Sequence, residues 1–217
     1  MNFTEKRTYL ETSKAIAVLV SLFAHPIFMP TWVFVTLCFG TDLVSWTFGT
    51  KSIWLILVFM FTTVLPLGTI RIFYESNHIQ RVDMQLLSDR NFGYLIVLAY
   101  YMAATIIFYG KLNHLYELAF VMQSITFSVF LATFISFYYK ISIHAVGIGG
   151  LIGILLGYQY HFGEQILLYP ILFAILLAGV VISARFYLQA HSISELIYGL
   201  FLGLGVCFCS LYFWGFN

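Results

Sequence analysis

Apolar positions in this chain come in long unbroken runs, not in the alternating or one-faced patterns of a soluble domain. Seven such runs lie at roughly 15–39, 52–73, 93–110, 115–138, 144–158, 166–184 and 192–214. A helix needs about 20 residues to cross a hydrocarbon core, and with their flanks most of these runs reach that length. The run at 144–158 is short but extends backwards through Lys140. Connections at 41–51, 111–114, 159–165 and 185–191 are brief, and only 74–92 is long and polar. The pattern predicts an all-α fold, a polytopic integral membrane helical bundle of six to seven transmembrane helices. It forms one domain over 1–217, with a polar N-terminal tail over 1–14.

The helix count turns on the first run. As a helix, residues 13–40 extend roughly 42 Å at about 1.5 Å per residue, more than one crossing uses. His25-Pro26 and Pro30 interrupt the middle of it, and each proline removes a backbone donor. A single kinked or tilted span fits this pattern, and so does a re-entrant pair of half-helices. In either case His25 reads as a polar residue satisfied at the break.

Composition turns the pattern into a solvent. Hydrophobic residues make up 61%, charged residues 9% and aromatics 19%, with a mean hydropathy of +0.94. A soluble domain of 217 residues cannot hide that much apolar surface, so the bilayer is the expected medium. A net charge of +1 argues against a nucleic-acid partner. Cys38, Cys207 and Cys209 fall inside apolar runs, with neither a disulfide framework nor zinc spacing, and are expected to pack. No cleavable signal peptide is expected, because the first apolar run is too long and lacks a small-residue cleavage site.

Against this background the ionisable residues carry the information, since such groups beside membrane spans are costly and point to function. Residues 93–138 run out and back, and so do 144–184. With seven spans, the segments 74–92, Lys140–His144 and Arg185–Glu195 therefore share one membrane face. That face gathers Arg81, Arg90, Lys140, Ser142, His144, Arg185, His191 and Glu195. His191 and Glu195 stand at i and i+4, on one side of any helix that continues through them, where the carboxylate can fix the imidazole tautomer. Cations beside two histidines suit phosphate. The cations bind phosphoryl oxygens and offset transition-state charge, one imidazole attacks phosphorus and the other protonates the leaving oxygen. A metal site built from His144, His191 and Glu195 is the competing reading. The neighbouring arginines would repel a cation, so neither a metal nor another cofactor is expected.

Arg185-x5-His191-x3-Glu195 resembles the third signature of the type 2 phosphatidic acid phosphatase superfamily, Ser-Arg-x5-His-x3-Asp. Ser142-Ile143-His144 resembles its second signature, Pro-Ser-Gly-His, and lies 41 residues before Arg185. The resemblance implies that His191 is a nucleophile forming a phosphohistidine, that Glu195 orients it and that His144 is the general acid. It also implies phosphate binding by Ser142, Arg185 and Arg90, with Lys140 or Arg81 replacing a lost lysine. The implied activity is metal-independent hydrolysis of a membrane lipid phosphate or diphosphate by a phosphoric ester or acid-anhydride hydrolase. A phosphatase-like core would cover about 80–210. The chain departs from the signatures at Ala184 for serine, Glu195 for aspartate, and Ile141 and Ile143 around Ser142. The first signature, Lys-x6-Arg-Pro, aligns best with Asp83, Arg90 and Asn91. These departures motivate an alternative: a decayed member that binds lipid or a partner protein, or moves lipid.

Glycines recur every four residues at Gly149, Gly153 and Gly157 after His144, and at Gly199 and Gly203 after Glu195. Small residues at this spacing let helices approach closely in lipid, which predicts that the helices behind the two histidines pack together. A bacterial inner membrane is the expected location. With a single first span, Lys6, Arg7, Lys14, Arg71 and Arg81 share the site's face and place it in the cytoplasm by the positive-inside rule. A re-entrant first run reverses that assignment.

Overall fold

The seven apolar runs are helical in the computed structural model, which describes residues 3–41, 46–76, 87–111, 116–163 and 165–214. Arg81 and Asp83 lie outside the described residues, as do the side chains of Lys6 and Arg7. The helices are α1 (Phe3–Phe23), α2 (Met29–Gly40), α3 (Phe48–Phe59), α4 (Leu65–Glu75), α5 (Leu87–Lys111), α6 (Tyr116–Ser136), α7 (Ile143–Phe162), α8 (Leu168–Tyr187) and α9 (Ile193–Trp214). Among the described residues they make seven stretches long and apolar enough to cross a membrane. Two of these are composite. Glu11–Gly40 joins α1 to α2, and Phe48–Glu75 joins α3 to α4.

Proline explains both joints. Pro26 has no N–H for the carbonyl of Leu22, so α1 ends at Phe23 and a 3-10 turn, Pro26–Phe28, leads into α2. Pro66 likewise follows a π-helical turn at Met60–Val64, where the extra residue per turn absorbs the missing donor. The two joints touch, because the Thr63 hydroxyl donates to the carbonyl of Ile27 at 3.1 Å. α1 takes in most of the polar N-terminal segment.

α7 is the central helix. It is 72% buried over its apolar window, against 28–56% for the other spans, and packs chiefly on α9. The reason is steric. A Cβ on Gly203 would lie 2.0 Å from the Val146 carbonyl oxygen, and one on Gly149 would lie 2.3 Å from that of Leu200. Gly153 and Gly199 meet backbone oxygens at 2.5 and 2.7 Å in the same way. The expectation from glycine spacing holds, since backbone lies on backbone where any larger residue would separate the helices. Around this pair, Phe34 and Leu37 of α2, Phe108 of α5 and Met122 of α6 are fully buried. Cys38 and Cys207 are buried free thiols, whereas Cys209 is exposed on the outer surface.

Candidate functional site

The site lies where α7 and α9 begin and where α5 begins, α6 ends and α8 ends. Backbone joins the two histidine segments: the Ser142 N–H donates to the Glu195 carbonyl at 3.3 Å. Lys140 donates through Nζ to the Ala190 carbonyl at 2.9 Å, tying the α6–α7 connection to the α8–α9 connection. Arg90 donates through Nη2 to the Ser136 carbonyl at 3.3 Å, while the Ser136 hydroxyl donates to Asn91 Oδ1 at 3.1 Å. Segments distant in sequence thus meet at one end of the bundle, as hairpin counting predicts.

The boundaries differ from the sequence expectation in two useful ways. α5 starts at Leu87, so Arg90 stands on a helix that lines the site and not in the polar connection. His191 precedes α9 and does not share a continuous helix with Glu195. The Ser192 hydroxyl accepts from the Glu195 N–H at 3.3 Å, and its carbonyl accepts from Leu196 N–H at 3.1 Å, which makes Ser192 the N-cap. Ser-x-x-Glu is a capping-box pattern in which the glutamate ordinarily returns to the cap N–H. Here the carboxylate goes to His191 instead, Nδ1 to Oε2 at 2.7 Å, with both side chains largely buried.

α8 ends in a Schellman turn. The Ala190 N–H bonds to the Arg185 carbonyl, the Gln189 N–H bonds to the Phe186 carbonyl, and Gln189 takes a left-handed conformation with φ of 52°. That turn sets where Arg185 and His191 stand relative to each other. A non-glycine residue there costs about 1 kcal/mol. Gln189→Gly is therefore expected to raise stability by about 1 kcal/mol, read as a higher Tm in detergent, whereas Gln189→Val should lower it.

A carboxylate only accepts, so His191 carries its proton on Nδ1 and presents Nε2 as a bare lone pair. Burial is the main influence on its basicity and pushes it below the ordinary histidine value. The Glu195 hydrogen bond opposes that shift, and the charges of Arg185 and Lys140 add to it. The second histidine has the opposite tautomer. His144 Nε2 lies 3.2 Å from the Ser21 carbonyl, which can only accept, so the proton is on Nε2. His144 Nδ1 is buried and has no hydrogen-bond partner among the described residues. The charge of Arg185 acts on both His144 and His191, and His191 acts on His144, so these three groups share one electrostatic neighbourhood.

Among the described residues, four buried polar atoms here find no hydrogen-bond partner: Arg90 Nε, Arg185 Nε, Ser142 Oγ and His144 Nδ1. Ser142 is fully buried at the N-cap position of α7, yet its hydroxyl caps nothing. Buried polar groups are ordinarily satisfied, so this cluster is a place where water or a polar ligand can bind. Three of the four can donate, which is the complement of an oxyanion. Among the described residues no three histidine, cysteine, aspartate or glutamate side chains converge on a metal position, so His144, His191 and Glu195 do not form that set.

Two residues at the site escape sequence reasoning. Tyr94, one turn beyond Arg90, feels the charges of both Arg90 and Arg185 and so stands near both arginines. His25 lies against His144, with ring centroids 5.2 Å apart and planes at 79°. The interrupted first run is the only sequence signal that bears on His25. Nothing local ties His25 to a histidine about 120 positions away, or Tyr94 to Arg185.

A cavity of about 970 Å³ opens beside the site, lined by Ile16, Ala17 and Val20 of α1 and by Val180 and Ala184 of α8, and ending at His191. The whole defines an all-α integral membrane protein with a basic, histidine-bearing site at one end of its bundle. Comparison with protein-family models, curated proteins and solved structures finds no match to this chain.

Proposed function

We propose that this protein is a membrane lipid phosphatase or diphosphatase that works through a phosphohistidine on His191. The observation that carries the reading is the set of buried polar atoms on Arg90, Arg185, Ser142 and His144 that find no partner among the described residues, beside a His191 whose Nε2 is unprotonated. A phosphoryl group bound to those donors meets Nε2 as nucleophile. The P–N bond forms as the P–O bond breaks, and the leaving oxygen takes the proton on Nδ1 of His144, a proton that the ring gains as the anionic substrate binds. Water then attacks phosphorus, its proton returns to His144 Nδ1, and the P–N electrons return to His191. Arg90, Arg185 and Lys140 offset the charge on the phosphoryl oxygens at each stage, with Arg81 a further candidate. No step uses a metal or cofactor.

The cavity between α1 and α8 favours a lipid over a soluble phosphate, because mostly apolar side chains line it together with His191. Each buried methylene of a chain lying there contributes about 0.8 kcal/mol. The half-exposed Val180 sits in this cavity. Val180→Trp is expected to lower kcat/KM on a long-chain lipid phosphate at least about tenfold more than on a short-chain analogue. Equal losses on both would remove the cavity from the account. We place the protein in a bacterial inner membrane.

Purified protein offered phosphatidic acid, polyprenyl phosphates and polyprenyl diphosphates should release inorganic phosphate from at least one of them. The altered signature positions, Ala184, Ile141, Ile143 and Asp83, favour a second reading as a decayed member that binds phospholipid without turnover. Lipid binding with no release across that panel would select the second reading.

A further inference from the structure

The His25–Pro26 break has a chemical consequence at the site. In an unbroken α1 the His25 N–H would bond to the Ser21 carbonyl, four residues back. Instead it turns to Leu22, at 3.3 Å, because Pro26 offers that carbonyl no donor. The Ser21 carbonyl is thereby released from the helix ladder, and His144 Nε2–H occupies it. A proline in α1 thus fixes the tautomer of a histidine on α7 and leaves Nδ1 as the ring atom that a ligand can meet.

His25 itself is oriented in the complementary sense. It is the N-cap of the 3-10 turn and accepts the Ile27 N–H through Nδ1 at 3.4 Å, so in the neutral ring the proton sits on Nε2. Next to it, His144 Nδ1 is a buried acceptor without a partner among the described residues. One imidazole thus has a donor to offer and its neighbour an acceptor, across a centroid separation of 5.2 Å. Arg185 acts electrostatically on both rings, so the pair belongs to the basic cluster and not to an unrelated part of α1. The break is also held from outside. Pro26 packs where a Cβ on Gly147 would approach it to 3.0 Å, and Thr63 binds the Ile27 carbonyl. A histidine that only capped a turn would need none of this convergence.

We propose that His25 is a third catalytic histidine of the site: with His144 it holds the oxygen that leaves phosphorus and, in the second half-reaction, the water that attacks it. This rests on the phosphatase reading above. His25 Nε2–H donates to that oxygen, and His144 Nδ1 exchanges the proton with it. The water oxygen then bonds to phosphorus, the P–N bond to His191 breaks with its electron pair returning to Nε2, and the water proton ends on His144 Nδ1. His25 changes no charge in either step. Its work is to orient a small, otherwise mobile nucleophile, which is where positioning has large rate effects.

The test separates this role from capping. His25→Asn keeps a short side-chain acceptor at the N-cap, where asparagine is among the best residues, but removes the imidazole beside His144. The proposal expects His25→Asn to fold with a wild-type Tm in detergent while kcat on a lipid phosphate falls about 100-fold or more and KM changes little. Added imidazole should restore part of that loss in His25→Gly. Bilayer-reconstituted protein carrying 15N-histidine should show His144 protonated at Nε2 in both the wild type and His25→Asn. Wild-type kcat in His25→Asn would overturn the proposal and leave His25 as a cap. So would a neutral wild-type His144 whose single proton sits on Nδ1 and not on Nε2. A wild-type protein that releases phosphate from no lipid would instead overturn the phosphatase reading, and this role with it.

Discussion

Phosphate release is expected to fall roughly 10⁴-fold or more in His191→Ala, with the fold intact. The nucleophile is the one group whose loss no neighbour can cover. His144 has its Nε2 committed to the Ser21 carbonyl, and Glu195, left without its partner, is a weaker nucleophile in a cluster of cations. The fold should survive because His191 stands in the α8–α9 connection, outside both helices, and the α9 cap is made by Ser192. A matching prediction concerns pH. Burial, reinforced by Arg185 and Lys140, holds His191 below the ordinary histidine value of about 6.5. The reactive form is neutral, so it persists as pH falls and is lost only below that ordinary value. The acid limb of kcat/KM assigned to His191 should therefore lie below about pH 6.5. In Glu195→Ala the supporting hydrogen bond is gone and the limb should move lower still, with kcat reduced.

The second large effect is structural. Gly203→Ala places a methyl where the Val146 carbonyl oxygen lies 2.0 Å away, and the obstacle is backbone on both sides. α7 and α9 must move apart to admit it, and with them Ser142 and Glu195, whose backbone bond joins the two halves of the site. A loss of about 3 kcal/mol or more is expected, at or beyond the upper end of ordinary overpacking, because no side chain can rotate away. Activity should fall with it. Gly205 provides the control on the same helix, since a Cβ there meets nothing within 4 Å. Gly205→Ala should gain roughly 0.5–1 kcal/mol from helix propensity. Thermal unfolding in detergent for the two variants reads both effects.

How much of this could be read in advance follows from the physics of each feature. The spans were legible because a bilayer imposes length and apolarity on every crossing. The α7–α9 contact was legible because close approach in lipid needs small residues at helical spacing, as at Gly149, Gly153 and Gly203. Gathering Arg90, Lys140, Ser142, His144, Arg185, His191 and Glu195 at one end needed only the parity of hairpins. Helix ends were less legible, since polarity marks where water begins and not where a helix stops. Nothing in 87–92 breaks a helix, so α5 starts at Leu87 and carries Arg90. His25 was the largest omission. Its meeting with His144 depends on a proline-released carbonyl and on Gly147 making room for Pro26, and both are tertiary facts. The tautomers of His144 and His191 follow from partners of fixed chemistry, a carbonyl and a carboxylate, that no sequence pattern assigns to them.

The central claim is that phosphorus becomes bonded to His191. Rapid alkaline quenching of the protein with a 32P-labelled lipid phosphate, followed by peptide mapping, tests it directly, because a phosphoramidate survives base and is lost in acid. The account predicts base-stable, acid-labile label on the peptide carrying His191, present in the wild type and absent from His191→Ala. Turnover with no such label, or label that persists in His191→Ala, would contradict it.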